Sequence, residues 1–490
     1  MQLSQLVDGS EARLVRGPLG VEVTGVSADS RGCTPGTLFA ALRGVQADGR
    51  RFVGDALARG AVAVLADDED LDSFDTGAAA LLASATARRS FALICAHFFG
   101  AQPATAIAVT GTNGKSSVAE FCRQLWAALG HDAATLGTLG VVSGTGNAEL
   151  GHTTPDPATL HRVLADLAAR GLQRVALEAS SHGLHQHRLD GVRLRAAGFT
   201  NLSQDHFDYH ATLADYRDAK GRLFTLVEAG GAAVLNADTP EFEGYARIAR
   251  DRGLRVISYG RAGADLRLVA DRDTAEGGQM LTVEAEGAAH TIALPLPGHF
   301  QAMNMLCSAG MVAAVEGLPL ARVLALATRL HGVRGRLEPV VGHPAGARVY
   351  VDYAHTPDAL DTVLAALRPG TMGRLGVVFG CGGDRDRAKR PLMAAAACRH
   401  ADLVWLTDDN PRTEDPAAIR RQALAGCDRA VEIGDRRQAI RTAVAALAAE
   451  DVLVIAGKGH EAGQTVGTAV LPFDDAEEAR AAIALLGDRP

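Results

Sequence analysis

The segment Thr110-Gly111-Thr112-Asn113-Gly114-Lys115-Ser116-Ser117 concentrates two glycines, an amine and a run of hydroxyls in one short stretch. A glycine loop of this kind lets backbone N–H groups converge on an anion, and the amine and hydroxyl suit a nucleotide polyphosphate and its divalent cation. In that arrangement Lys115 reaches the terminal phosphates and the Ser116 hydroxyl serves Mg²⁺. The spacing departs from the general pattern G-x-x-x-x-G-K-[S/T], because only Thr112 and Asn113 separate Gly111 from Gly114. The competing reading is an ordinary glycine turn ahead of a core helix.

Three further residues are candidates for the same chemistry. Glu178 closes the apolar run Arg174 to Leu177, where a carboxylate at a strand end would hold Mg²⁺ directly or through water. It opens Ser180-Ser-His-Gly-Leu-His-Gln186-His-Arg188, a stretch that could equally be a solvated loop. His206 lies in Asn201-Leu-Ser-Gln-Asp-His206-Phe-Asp-Tyr-His210; taken alone, it would be a satisfied structural histidine. Lys220 shares a helical face with Tyr216, Leu223 and Phe224, an unusual place for an amine. Either its stem packs while its head snorkels to water, or burial lowers its pKa and leaves a reactive amine able to form a carbamate with CO₂. Spacing alone favours snorkelling.

The elements around these residues give the loop its context. Ala104 to Val109 is a buried-strand pattern, and Val118, Phe121, Cys122, Leu125, Trp126 and Leu129 recur at helical spacing after the loop. Further strands are expected at Ala232 to Leu235 and Val256 to Tyr259, with an antiparallel insertion between Asp265 and Leu294. Leu294-Pro-Leu-Pro-Gly-His299 is a turn before a helix carrying Asn304. The last third alternates strands at Arg348 to Asp352, Leu375 to Phe379, Leu403 to Thr407 and Val452 to Ala456 with helices, the signature of a doubly wound parallel sheet. Every polar cluster in that third follows a strand: Tyr353-Ala-His355, Gly380 to Arg385, Asp408 to Arg412, and Gly457-Lys-Gly-His-Glu461. Ligands bind outside the carboxyl ends of such strands, so these clusters define a rim.

With 490 residues the chain exceeds a single core and suggests about three domains. The expected division is 1–98 (short strands such as Val21 to Thr24 and Ala61 to Leu65), 99–333 and 334–490. Lysine and arginine total 49 against 57 acidic residues, a net −8 with no basic block, which disfavours a nucleic-acid partner. The seven cysteines are scattered and never form a CxxC pair, so reduced thiols in a cytoplasmic protein are expected, without a structural zinc. The first residues carry no signal-peptide pattern, and no run of about 18 apolar residues predicts a membrane span.

Taken together, Thr110 to Lys115, the Glu178 region, Asn201 to His210, Lys220 and Asn304 resemble the ATP-dependent Mur ligases of peptidoglycan synthesis over nearly the whole chain. The resemblance implies an α/β protein of three domains: an N-terminal uridine-binding domain, a central P-loop-type ATPase domain with a mostly parallel sheet, and a C-terminal Rossmann-like domain. The best match is to members that add meso-diaminopimelate to UDP-N-acetylmuramoyl-L-alanyl-D-glutamate. It further implies ATP and Mg²⁺, catalytic roles for Lys115, Glu178, His206 and Lys220, and a carbamylated Lys220 among the metal ligands with Ser116, Glu178 and His206. That reverses the snorkelling reading. Nucleotide contacts carried over are Gly111, Thr112, Asn113, Gly114, Lys115, Ser116, Ser117, Asn304, Arg336 and Asp352, with His355 beside them. For the UDP-muramoyl dipeptide they are Ala28, Ser30, Val45, Gln46, Ala47, Thr153, Thr154, Ser180, Gln186 and Arg188. Ser116 and Ser117 replace family threonines and keep their hydroxyls, whereas His152 stands where asparagine is common.

By the same resemblance, Arg385, Asp409, Asn410, Pro411, Arg412, Gly457 and Glu461 receive diaminopimelate. An arginine fork binds a carboxylate bidentately, and an Asn/Asp pair suits an ammonium or a helix cap. L-lysine lacks the distal carboxylate, so Arg412 would be left unpaired against it, a costly mismatch. The plainer alternative makes Asn410-Pro411 a turn and Arg412 a solvated charge. A monomer is expected, with a hinge near 333. Alternatives are the same ligase using L-lysine, a folylpolyglutamate-synthase-like ligase, and a non-catalytic nucleotide-binding protein.

Overall fold

The computed structural model describes residues 1–44, 48–144, 146–203, 209–210, 212–274 and 277–487. It is an α/β protein built on three principal sheets. By contacts the chain divides into two compact units, Met1–Ser258 with Gly310–Leu318, and Tyr259–Ala309 with Pro319–Pro490.

The first unit holds the N-terminal sheet and the larger part of the eleven-stranded one. The N-terminal one orders Arg13–Arg16, Ala80–Ser84, Ala63–Asp67, Thr37–Ala40 and Gly25–Ser27, parallel except for the first. The expected strand over Val21 to Thr24 forms instead at Gly25–Ser27; Glu22 makes only an isolated bridge to Gln2. The phosphate-loop strand Thr105–Thr110 lies between Arg174–Glu178 and Leu194–Phe199, parallel to both. Ala133–Gly137 continues the sheet beyond Arg174–Glu178, and Val227–Asn236 beyond Leu194–Phe199. A central parallel strand is buried on both faces, which explains why Ala106 to Val109 is apolar without alternation.

The helix Lys115–Ala128 packs Val118, Phe121, Cys122, Leu125 and Trp126 inward, each essentially without exposure. Its indole is tied down too: Trp126 Nε1 donates to Glu316 Oε1 at 2.9 Å, and Arg174 forks onto the same carboxylate at 2.7 and 3.0 Å. One carboxylate thereby fixes both the loop helix and the foot of the strand that ends in Glu178. The Arg174 hydrogen bonds hold the Glu316 carboxyl below the usual range.

In the second unit, Leu266–Asp273, Gln279–Ala285 and Ala288–Leu294 form the expected antiparallel insertion. The helix His299–Glu316 begins in this unit, and its Phe300 packs against the C-terminal core around Leu360, Leu364 and Leu367. The C-terminal sheet orders Glu338–Val340, Arg348–Asp352, Val452–Ala456, Leu375–Cys381, Leu403–Asp408 and Val431–Glu432; only the first is antiparallel.

One expectation is corrected here. Cys398 and Cys427 form a disulfide with a Cα–Cα separation of 5.8 Å, while Cys33, Cys95, Cys122, Cys307 and Cys381 are buried and not disulfide-bonded. The two partners are 29 residues apart in sequence, and only the packing of helix Lys389–His400 against Pro416–Leu424 brings them together. Among the described residues no helix is long and apolar enough to cross a membrane.

Candidate active site

Sheet register builds the first site. Glu178 pairs with Val109, Phe199 with Thr110, and Leu177 with Leu136. Gly111, Glu178, Gly137 and Thr200 therefore emerge at one carboxyl edge, where open parallel sheets bind ligands. Two of these positions require glycine. A Cβ on Gly111 would lie 1.8 Å from Thr200 Oγ1, and one on Gly137 would lie 2.1 Å from Glu178 Oε1. Thr200 closes the loop by donating to Asn113 O at 2.6 Å, and Asn201 Oδ1 accepts from Asn113 N at 3.0 Å.

Lys115 sits over the loop, its ammonium donating to Gly111 O at 2.9 Å and Thr112 O at 2.8 Å. Ser116 Oγ donates to Glu178 Oε2 at 3.0 Å. The Glu178 side chain, only 4% exposed, also accepts from Thr138 N at 2.8 Å and Thr138 Oγ1 at 3.1 Å. Thr138 escaped the sequence reading, although a hydroxyl directly after the strand Ala133–Gly137 is the same kind of strand-end signal that marked Glu178.

Lys220 does not snorkel. The residue is 1% exposed, its Nζ donates to Gly111 O at 2.8 Å and stands 4.3 Å from the Tyr216 ring centroid. The Tyr216 hydroxyl in turn shares a hydrogen bond with Thr112 Oγ1 at 3.1 Å. The helix Leu213–Thr225 thus reaches the underside of the phosphate loop through two side chains of its buried face. His206 lies outside the described residues, and among those described no three His, Cys, Asp or Glu side chains converge as a metal cluster. What does converge at the loop, a serine hydroxyl and a carboxylate, is oxygen chemistry suited to Mg²⁺.

A second network adjoins Glu178. Thr154 Oγ1 donates to Glu178 O at 2.8 Å and accepts from Ser180 N at 3.0 Å and Ser180 Oγ at 3.1 Å. Arg188 donates to Thr154 O at 2.6 Å and to Gln186 Oε1 at 2.8 Å. Gln186 Nε2 then donates to the Tyr209 hydroxyl at 2.9 Å, and Thr153 Oγ1 lies 3.0 Å from Thr138 Oγ1. All five expected residues of this set are therefore brought together, while His152 is exposed beside them. Ser30 is buried and Ala28 exposed just after the strand Gly25–Ser27. Val45, Gln46 and Ala47 lie outside the described residues.

The C-terminal rim forms as expected. The strands Arg348–Asp352, Val452–Ala456, Leu375–Cys381 and Leu403–Asp408 are consecutive neighbours, so their four polar clusters line one edge. Asp352 is buried, and its carboxylate accepts from Leu337 N and Ala354 N, each at 2.8 Å. Burial nevertheless raises its pKa. Arg336 lies over the Tyr353 ring at 4.5 Å, and the Tyr353 ring contacts His355 and His460. Burial, and then Arg336, press His460 down to about 4, so its imidazole is neutral at physiological pH. Asn304, also in the second unit, is buried and donates to Gln301 Oε1 at 3.1 Å.

Farther along the rim, Arg412 adopts a left-handed backbone with φ of 50°, a strained state for a residue other than glycine. Its N–H donates to Thr465 O at 3.1 Å, and its carbonyl accepts from Gly467 N at 2.7 Å, so a short hairpin clamps it. The guanidinium donates to Gly383 O at 2.8 Å, and both it and Arg385 lie against Gly382. Asn410 Nδ2 donates to Glu461 Oε2 at 2.9 Å. Asp409 and Asn410 are buried, whereas Arg385 is exposed. The Arg412 side chain is half-buried and its guanidinium donates to a backbone carbonyl, so the charge is not a fully solvated one.

Comparison with known proteins agrees with this geometry. Residues 22–90 match the model described as Mur ligase family, catalytic domain; 109–312 match the Mur ligase middle domain; 335–459 match the Mur ligase glutamate ligase domain. The chain is 53% identical over 463 residues to the UDP-N-acetylmuramoyl-L-alanyl-D-glutamate–2,6-diaminopimelate ligase of Caulobacter vibrioides, covering 93% of this chain and 94% of that one. It is 50% identical over 489 residues to the ligase of the same name from Bradyrhizobium diazoefficiens, covering 99% of both. A solved structure of a ligase of that name superposes with a TM-score of 0.72 at 33% identity over the whole of both chains. Folylpolyglutamate synthase of Mycobacterium tuberculosis gives 0.61 at 21% identity, covering 79% of this chain and 92% of that one, a likeness of fold.

Proposed function

The chain belongs to the Mur ligase family, and on that premise we propose that it joins meso-2,6-diaminopimelate to the D-glutamate γ-carboxylate of UDP-N-acetylmuramoyl-L-alanyl-D-glutamate, driven by ATP. The observation that carries the reading is that one chain has both a complete phosphate loop and a clamped Arg412 beside Arg385, with the nearby Asn410 bonded to Glu461. The relatives of this chain at about half identity bear the name of that ligase over nearly their full length.

The reaction is carboxylate activation. A γ-carboxylate oxygen attacks the γ-phosphorus of ATP, ADP leaves, and an acyl phosphate forms. An amine of diaminopimelate then attacks the acyl carbon, loses a proton, and expels phosphate as the amide bond closes. Such chemistry needs charge neutralisation and alignment rather than a protein nucleophile. Gly111 to Ser117 direct backbone N–H groups and the helix N-terminus at the phosphates, and Lys115 supplies a mobile positive charge. Ser116 and Glu178, with His206 and a carbamylated Lys220, would hold Mg²⁺. When bound, that ion supplies charge neutralisation at the phosphoryl oxygens. Thr138 fixes the Glu178 carboxylate, and Thr153, Thr154, Ser180, Gln186 and Arg188 present hydroxyl, amide and guanidinium groups to the UDP-dipeptide.

Ala28, Ser30 and Val45 to Ala47 take its uridine end; Asn304, Arg336 and Asp352 complete the nucleotide contacts. The division 1–98, 99–333 and 334–490 assigns these tasks to three domains, and the matched spans support it. The reaction belongs to the cytoplasm, where ATP and the UDP-precursor are found, and one chain carries every residue set, so a monomer suffices. Phosphate release in the presence of ATP and UDP-dipeptide tests the reading, with meso-diaminopimelate, L-lysine or no amino acid added. Turnover with diaminopimelate alone is expected. Equal rates with lysine, or no turnover with either, overturn it.

A further inference from the structure

Behind the diaminopimelate rim lies a cation that the reaction as described does not use. Lys458, next after Gly457 on the loop following Val452–Ala456, is fully buried, at 0% exposure. A buried ammonium is costly unless paired and hydrogen-bonded. Its Nζ donates to Asn410 Oδ1 at 2.9 Å and Glu461 Oε2 at 3.3 Å, and lies 3.7 Å from Asp409 Oδ1. Every partner belongs to the set assigned to the incoming amino acid.

Two consequences follow from these contacts. Asn410 Oδ1 is occupied by Lys458 and by Thr465 N at 2.9 Å, which leaves Nδ2 to face Glu461 Oε2 at 2.9 Å. The Asn410 amide is therefore a spacer that orients Glu461. Oε2 of Glu461 is held by two donors, no hydrogen bond to its Oε1 is present among the described residues, and the side chain is 35% exposed. Charge gives the second consequence. Asp409 and Glu461 bring two negative charges and Lys458 one positive, so this end of the rim carries a single net negative charge. The neighbouring Arg436 is matched separately by Asp475, with both side chains at 0% exposure.

We propose that Lys458 is a positioning residue for amino-acid selection: it orients Glu461 through Asn410 and sets the charge of that end to accept one ammonium, beside the carboxylate-reading Arg385 and Arg412. This rests on the diaminopimelate reading above.

The test compares wild type with Lys458→Gln, Lys458→Met, Glu461→Gln and the Lys458→Gln/Glu461→Gln pair in the full-length ligase. Each is assayed for kcat and for the KM of diaminopimelate, UDP-dipeptide and ATP. Both Lys458 variants should raise the diaminopimelate KM roughly 10- to 100-fold, with the other two KM values unchanged. In the double variant the effects should be less than additive, because the lysine acts through Glu461. An unchanged diaminopimelate KM, additive effects, a parallel rise in all three KM values, or loss of soluble protein in both single lysine variants would each assign Lys458 to the fold and overturn the proposal. The wild-type control separates the two ideas: failure to use diaminopimelate there overturns the ligase reading, whereas normal wild-type use with an unaffected variant overturns only the role of Lys458.

Discussion

At the scale of single residues, Lys220 is the position where sequence and structure pull hardest on each other. Helical spacing placed it on an apolar face and favoured a stem-in, head-out arrangement; the fold buries the head as well and gives it Gly111 O. Spacing cannot distinguish these outcomes, because it locates a Cβ and says nothing of where a four-carbon stem ends. A buried lysine under a phosphate loop is either a strut or the root of a carbamate. Lys220→Ala should lower kcat about 100-fold or more, and added short-chain carboxylic acid should restore part of it if an anion is needed there. A strut would show no such rescue. Gly137 offers a sharper steric prediction. Its Cα faces the Glu178 carboxylate so closely that a methyl would lie 2.1 Å from Oε1. Gly137→Ala should displace that carboxylate from Thr138 and Ser116 and cost about 100-fold in kcat, with a native circular-dichroism spectrum. Normal turnover would remove Glu178 from the mechanism.

At the scale of elements, the strands were legible wherever both faces are buried or a turn follows. Arg348–Asp352 and Val452–Ala456 fall where alternation with helices put them. The N-terminal sheet was less legible: Val21 to Thr24 has strand composition, yet the ladder forms at Gly25–Ser27 because pairing with Thr37–Ala40 sets the register there. Nor could spacing foresee the Cys398–Cys427 pair, which depends on how two helices pack. The helix Pro157–Ala169 carries a further consequence. Its His161 is 1% exposed, with Nε2 against Asp190 O at 3.0 Å, and burial depresses its pKa to about 4. The unfolded chain therefore binds a proton that the folded one refuses as pH falls below the ordinary histidine value. Stability from this group is complete above about pH 6.5 and is lost toward pH 4, on the order of 3 kcal/mol in all. Resistance to denaturant should thus fall as pH drops from about 6.5 toward 4, and His161→Gln should flatten that dependence. An unchanged slope would refute neutral burial of His161.

At the scale of the molecule, the phosphate loop and the Thr154–Arg188 network lie in one compact unit, and the Arg385, Arg412 and Glu461 rim lies in the other together with Asn304, Arg336 and Asp352. The two carboxyl edges were readable, because the phosphate loop and each polar cluster of the last third follow a strand. What sequence could not supply was the internal support: the hairpin clamp on Arg412 and Lys458 behind Asn410. Those depend on contacts between elements distant in the chain. Separate placement makes the two binding functions separable in kinetics. The Arg412 guanidinium reaches Gly383 O and no part of the Thr154–Arg188 network lies in its unit. Arg412→Ala should therefore raise the diaminopimelate KM roughly 10- to 100-fold while the UDP-dipeptide KM stays near the wild-type value. The truncation also relieves the left-handed strain of an arginine only if the clamp by Thr465 and Gly467 lets go, so a thermal midpoint close to wild type is expected. A matching rise in both KM values would mean that Arg412 supports the fold rather than reading a carboxylate, and the preference over lysine would need another source.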